Sequence, residues 1–92
     1  MDIIKKIASE ILTGEEKEFY NDTVNVFVVK TILAYNPSEE ASILSLQFDG
    51  VEFPISIDAA ETKIISGPIA TNVIKAKGTN ISIHISGIQL GE

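Results

Sequence analysis

Apolar and polar residues alternate along much of the second half of the chain. Residues 41–48 place Leu44, Leu46 and Phe48 on one face and polar side chains such as Gln47 on the other. A period of two over this length is typical of a strand with one buried face. The pattern therefore predicts a half-buried β-strand here.

Asp49-Gly50 follows this strand directly, and residues 51–57 alternate again. An Asp-Gly pair between two alternating segments indicates a two-residue hairpin, because a type I′ turn needs a positive φ at both central residues. Pro54 lies within the returning strand, and proline cannot donate to a β-ladder. We therefore expect this strand at a sheet edge or in a bulge.

Other short apolar segments alternate with turn residues. Strands are expected at residues 18–20, 24–35, 63–66, 73–76 and 81–85. Asn36-Pro37 and Gly67-Pro68 are expected to break the chain between strands, because proline restricts its own φ and that of the preceding residue. A bulge at Gly87 would let the last strand continue to Leu90.

The N-terminal segment fits two structures. Ile3, Ile4, Ile7, Ile11 and Leu12 have helical spacing. Asp2 is a candidate N-cap, and Gly14 a candidate residue after the helix C-terminus. Short apolar runs are equally compatible with an extended segment that pairs within a sheet. A helix and a strand both remain open for these residues.

Seven or eight short strands with closely spaced turns predict an all-β protein, best read as a small antiparallel β-sandwich of jelly-roll-like arrangement. A length of 92 residues suits one domain. We expect residues 1–14 to be an N-terminal arm or first element and residues 15–92 to be a single sandwich domain. Ile and Val dominate the apolar residues, which favours strands.

Charge and composition argue against several classes of protein. The net charge is −6, arginine is absent and the seven lysines are scattered, so nucleic-acid binding is not expected. Cysteine is absent, which excludes disulfides and thiolate metal sites. No apolar run reaches the roughly 20 residues that span a bilayer, and Lys5 and Lys6 interrupt the apolar segment that a signal peptide would need.

Candidate chemistry is sparse. His84 is the single histidine, on an alternating strand, so we expect a surface residue or a contact at a subunit interface. The carboxylates Glu15, Glu16 and Glu18 cluster, as do Glu39 and Glu40, but no calcium-loop pattern is present. Gly-x-Ser-x-Gly is also absent. We therefore expect no enzyme, metal site or cofactor.

Several motifs resemble a group of short bacteriophage virion proteins, described as structural, tail or head-decoration proteins. They are Leu12-Thr13-Gly14, Phe19-Tyr20, a Val/Lys/Thr/Ile strand ending at Asn36, Phe48-Asp49-Gly50, Ser66-Gly67-Pro68-Ile69 and His84-Ile85-Ser86-Gly87-Ile88-Gln89-Leu90. The chain departs from the group at Asn21-Asp22-Thr23, where a Pro-Ala-Gly-like turn is usual.

The resemblance implies a bacteriophage virion structural protein, assembled in the bacterial host cytoplasm and bound as a capsid decoration or stabilising subunit on the particle exterior. It implies the major capsid protein or other virion proteins as partners, and a homo-oligomer, with a trimer favoured. Alternatives are a tail or baseplate accessory protein, or a receptor- or glycan-binding adhesion module that would use Tyr20 or Tyr35. The expected interaction residues are Ile3, Ile4, Ile7, Ile11 and His84.

Overall fold

A computed structural model describes residues 3–90 of the chain, with eight strands and no helix among them. The strands are β1 (Ile3–Thr13), β2 (Lys17–Asn21), β3 (Phe27–Tyr35), β4 (Ser42–Phe48), β5 (Val51–Ile57), β6 (Thr62–Thr71), β7 (Val73–Lys77) and β8 (Thr79–Gln89).

Two antiparallel four-stranded sheets pack face to face, with strand orders β1-β8-β3-β6 and β2-β7-β4-β5. The pairs β4–β5, β3–β6, β2–β7 and β1–β8 are all antiparallel neighbours. The chain is therefore one long hairpin wrapped into two layers, which is the architecture of a jelly roll. The predicted jelly-roll-like antiparallel sandwich is confirmed.

The tip of this long hairpin is the Asp49-Gly50 turn. Asp49 has a φ of 53° and Gly50 a φ of 84°, so both central residues have the positive φ that the sequence predicts. Pro54 lies in β5, which is an edge strand of its sheet. Both predictions for this hairpin are confirmed.

The N-terminal residues form a strand, and the predicted alternative of a helix is wrong. β1 pairs along its whole length with β8, from Ile3 opposite Gln89 to Thr13 opposite Thr79. An irregularity between Lys6 and Ala8 makes Ile7 an extra residue. This shift interrupts the period of two, which explains why the apolar residues imitate helical spacing.

Two other boundaries differ from the sequence-based expectation. β3 begins at Phe27 rather than residue 24, because Asp22 organises a turn first: its Oδ1 accepts hydrogen bonds from the N–H groups of Val24 (2.9 Å) and Asn25 (3.0 Å). β6 continues through Gly67-Pro68 rather than breaking there. This edge strand accommodates the proline in a bulge opposite β3.

The core lies between the two sheets and contains aliphatic side chains from both. Its largest fully buried apolar residues are Phe27, Leu12, Ile32, Leu44, Leu46, Ile57, Ile74, Ile81, Ile85 and Val29. Asn36 and Thr71 are the buried polar residues within 3–90, and both side chains make hydrogen bonds. The inner faces of the two sheets are thus filled by packed side chains, and their buried polar groups are hydrogen-bonded. Candidate binding surfaces therefore lie on the outer faces of the sheets or at their edges.

Candidate interaction face

The outward side of the β1-β8-β3-β6 sheet, here called the front face, carries an apolar patch. Antiparallel register aligns side chains from all four strands in rows. Two neighbouring rows are Ser9, His84, Leu33 and Ile64, then Ile11, Ser82, Tyr35 and Thr62.

Four apolar side chains in these two rows are exposed: Ile11, Leu33, Tyr35 and Ile64. Ile11 is 55% exposed and Ile64 is 66% exposed. The patch surrounds a shallow depression of about 440 Å³, and Ile11, Leu33, Tyr35 and His84 line part of it. Contiguous exposed apolar residues of this kind mark protein interaction sites more often than isolated ones do.

The structure brings two predicted interaction residues, Ile11 and His84, into this patch. Ile4 also lies on the front face, opposite Ile88 near the other end of β1, and is 87% exposed. Ile7 instead packs partly against the core. The side chain of Ile3 lies outside the described residues.

Charge is distributed unevenly between the front-face sheet and the rest of the chain. The four strands of this sheet contain four lysines, at positions 5, 6, 30 and 63, and one carboxylate, Glu10. Glu10 lies at the β1 edge of the sheet and forms an ion pair with Lys17 of β2. The sheet therefore has a net charge of +3 in a chain whose net charge is −6.

The outward side of the β2-β7-β4-β5 sheet, here called the back face, is polar. Gln47 donates a hydrogen bond to Glu16 (3.0 Å), and Lys75 lies 3.8 Å from the same carboxylate. Ser45 Oγ donates to Glu52 (2.5 Å). Among the described residues, Ile43 (63% exposed) is the single large apolar residue exposed on the back face. The two faces thus differ in chemistry as well as in charge.

A second apolar feature is a groove between the edge strands β5 and β6, where the sandwich is open. It has a volume of about 700 Å³, and Phe48, Phe53, Ile65 and Ile69 are among its lining residues. The rings of Phe48 and Phe53 lie 5.9 Å apart. Phe48 packs against the core, whereas Phe53 is exposed because β5 has no neighbour on its outer side.

The ionisable groups with shifted pKa values serve turns and packing. Backbone N–H groups hold the pKa of Asp49 below its usual value, chiefly that of Asn72, and the pKa of Asp22 is lowered chiefly by the N–H of Asn25. Burial raises the pKa of Tyr20, whose hydroxyl donates to the Asn25 carbonyl (2.8 Å). This buried ring cannot be the exposed platform that a glycan-binding module would need.

Residues 3–90 contain no group of three histidine, aspartate or glutamate side chains arranged to hold a metal ion. They also contain no helix of the length and hydropathy that crossing a membrane requires.

The sequence did not single out Leu33 or Ile64 as interaction residues, and it indicated Tyr35 for the alternative glycan-binding role alone. Leu33 and Tyr35 flank the buried Ala34 in β3, and Ile64 lies between the partly buried Lys63 and Ile65 in β6. Consecutive apolar residues such as these also fit a strand that is covered on both faces. Only the strand order places the three next to Ile11 and His84.

No protein-family model matches the chain, and no curated protein is significantly similar to it.

Proposed function

We propose that this protein is a structural subunit of a bacteriophage-type particle, bound as a decoration or stabilising subunit to the exterior of the capsid. The observation that carries the proposal is the contrast between the two sheet faces. The front face exposes Ile11, Leu33, Tyr35 and Ile64, whereas the back face pairs its charged and polar groups with one another. A small domain with one adhesive face suits docking onto a larger surface.

The fold supports the proposal at the level of architecture. Jelly rolls occur in viral capsid proteins, and also in lectin domains and cupins. A fold by itself does not determine function. The choice among these classes rests on the resemblance to phage virion proteins, in motifs such as Phe48-Asp49-Gly50 and Ser66-Gly67-Pro68-Ile69.

The proposed role requires binding alone and no catalytic group. We also propose that the subunit forms a homo-oligomer. A trimer is favoured because it would match sites of threefold symmetry on a capsid. Each sheet ends in two edge strands, β1 and β6 in one and β2 and β5 in the other, and contact between copies is one way to cover such edges. Analytical ultracentrifugation tests this part: a trimer supports it, and a strict monomer at high concentration contradicts it.

The composition of purified particles tests the proposed function. Particles produced from the genome that encodes this chain are purified by density gradient and analysed by quantitative mass spectrometry, beside particles from a genome lacking the gene. We expect many copies of the chain per particle. If heads that lack tails contained no copy of the chain, a capsid position would be contradicted. Absence of the chain from all particles would refute the virion role.

A further inference from the structure

We propose that the front face binds an apolar protein surface that is rimmed by carboxylates. The inference rests on the proposed function and deepens it, because it states the chemistry of the virion protein that the subunit contacts. The apolar patch, the position of the lysines and the size of the sheet all favour such a partner.

Lysines border the apolar residues of the front face. Lys6 pairs in register with Ser86, one row away from His84, and its side chain is exposed. Lys30 lies in the bulge of β3, a central strand, and is also exposed. Since the inner side of a central strand is packed against the other sheet, an exposed side chain there belongs to the outer face.

Carboxylates are nearly absent from the four strands of this sheet. β3, β6 and β8 contain none, Glu10 of β1 is paired with Lys17, and Glu61, which directly precedes β6, is paired with Lys63. The rest of the chain carries twelve carboxylates and three lysines, a net charge of −9. A partner surface with acidic groups opposite Lys6 and Lys30 would complement the front face, whereas it would be repelled by the remainder of the protein.

The face is large enough for a specific protein contact. β1 and β8 have 11 residues each, which corresponds to about 36 Å at ~3.3 Å per residue. Four strands at ~4.8 Å spacing give a width of about 19 Å. The resulting area of roughly 700 Å² is close to the ~800 Å² that each partner buries in a standard protein interface.

Two other occupants fit less well. A second copy that presented its own front face would bring Lys6 and Lys30 towards the same lysines, which is unfavourable. A nucleic acid requires a broad array of phosphate-binding side chains, but the centre of the face is apolar and arginine is absent from the chain. A carboxylate-rimmed apolar protein surface matches both features of the face.

The inference is tested by measuring how strongly purified variants bind to particles made without the gene. The variants form matched pairs. Lys6→Glu/Lys30→Glu alters the front face, and Lys75→Glu/Lys77→Glu makes the same change in net charge in β7 of the other sheet. Ile64→Thr and Ile43→Thr form an apolar pair, one residue on each face, with similar exposure of 66% and 63%. Circular dichroism confirms that each variant is folded.

We expect Lys6→Glu/Lys30→Glu to weaken co-sedimentation with the particles by about tenfold or more, and Lys75→Glu/Lys77→Glu to change it by less than about twofold. Ile64→Thr should weaken binding more than Ile43→Thr. Raising salt from about 0.05 M to about 0.3 M should weaken wild-type binding, because it screens exposed charges.

The outcomes separate this inference from the proposed function. If the wild-type protein does not bind the particles, both are wrong. If it binds but both members of each pair have equal effects, the subunit is a virion protein and the front face is not its docking surface. If Lys6→Glu/Lys30→Glu strengthens binding, the partner surface is basic rather than acidic.

Discussion

Replacing Asn36 by alanine should destabilise the protein more than any exposed Asn→Ala change. Asn36 directly follows β3 and is fully buried. Its amide nitrogen lies within hydrogen-bond distance of three carbonyl oxygens, those of Glu40 (2.8 Å), Ile57 (3.1 Å) and Asp58 (3.3 Å). Its Oδ1 accepts a hydrogen bond from the Ser38 N–H (3.1 Å) and shares the single proton of the Ser38 hydroxyl (Oγ at 2.8 Å) with the Glu40 carbonyl. The side chain thus connects the β3–β4 loop to the β5–β6 loop.

The size of the effect follows from which partners keep a donor after the substitution. The Glu40 carbonyl still accepts from Ser38 Oγ (2.7 Å), and the Asp58 carbonyl from the Glu61 N–H (3.1 Å). The contact with the buried Ile57 carbonyl is lost. One lost bond to a buried group costs about 1–3 kcal/mol, and the weaker losses at Ser38 add to it. We expect a total loss of about 2–3 kcal/mol in the free energy of unfolding.

Urea unfolding followed by circular dichroism measures this change. For a slope of about 1.5 kcal/mol per molar, the midpoint should fall by about 1.3–2 M. Asn21→Ala is the control, because Asn21 is exposed and its amide bonds only Glu18, so its effect should stay within about 0.5 kcal/mol. An Asn36→Ala midpoint equal to that of Asn21→Ala would refute the reasoning.

Two further predictions concern packing and pH. Gly87→Ala should lower the free energy of unfolding by about 1–3 kcal/mol or more, because the added Cβ would lie 2.1 Å from the Val28 carbonyl oxygen and 2.9 Å from the Phe27 ring; an unchanged melting temperature would contradict this. Asp49 has a lowered pKa in the folded protein, so its contribution to stability is complete above its unfolded value of 3.8 and is lost as pH falls through the folded pKa. Melting temperatures are measured between pH 2 and pH 7 at intervals of about one unit. On acidification, the melting temperature of Asp49→Asn should fall less than that of the wild type. An equal fall in both proteins would contradict the prediction.

Local features of the fold follow from the sequence where one residue type determines the backbone. Asp49-Gly50 specifies its turn because few other pairs accept two positive φ values, and Pro54 specifies an edge because it lacks an N–H. The N-terminal strand could not be separated from a helix, because the extra residue Ile7 interrupts its alternation. The bulge expected at Gly87 lies instead in the strands on either side of β8, because Gly87 itself pairs in register with Lys5 and Val29 while Ile7 and Lys30 are the extra residues.

The interaction face illustrates a different limit. Ile11 and His84 were candidates from the sequence, but their proximity depends on β1 and β8 being neighbours. Leu33 and Ile64 join them through pairs that connect residues far apart in the chain. A pattern of alternation indicates which residues share one side of a strand, and it contains no information on which strands lie side by side.

A cryo-EM reconstruction of the particle tests the central claim most directly. We predict one density of jelly-roll shape per subunit on the capsid exterior, with the β1-β8-β3-β6 sheet facing the shell and Ile11, Leu33 and Ile64 in the contact. A subunit oriented with the β2-β7-β4-β5 sheet against the shell, or density confined to the tail, would contradict the account.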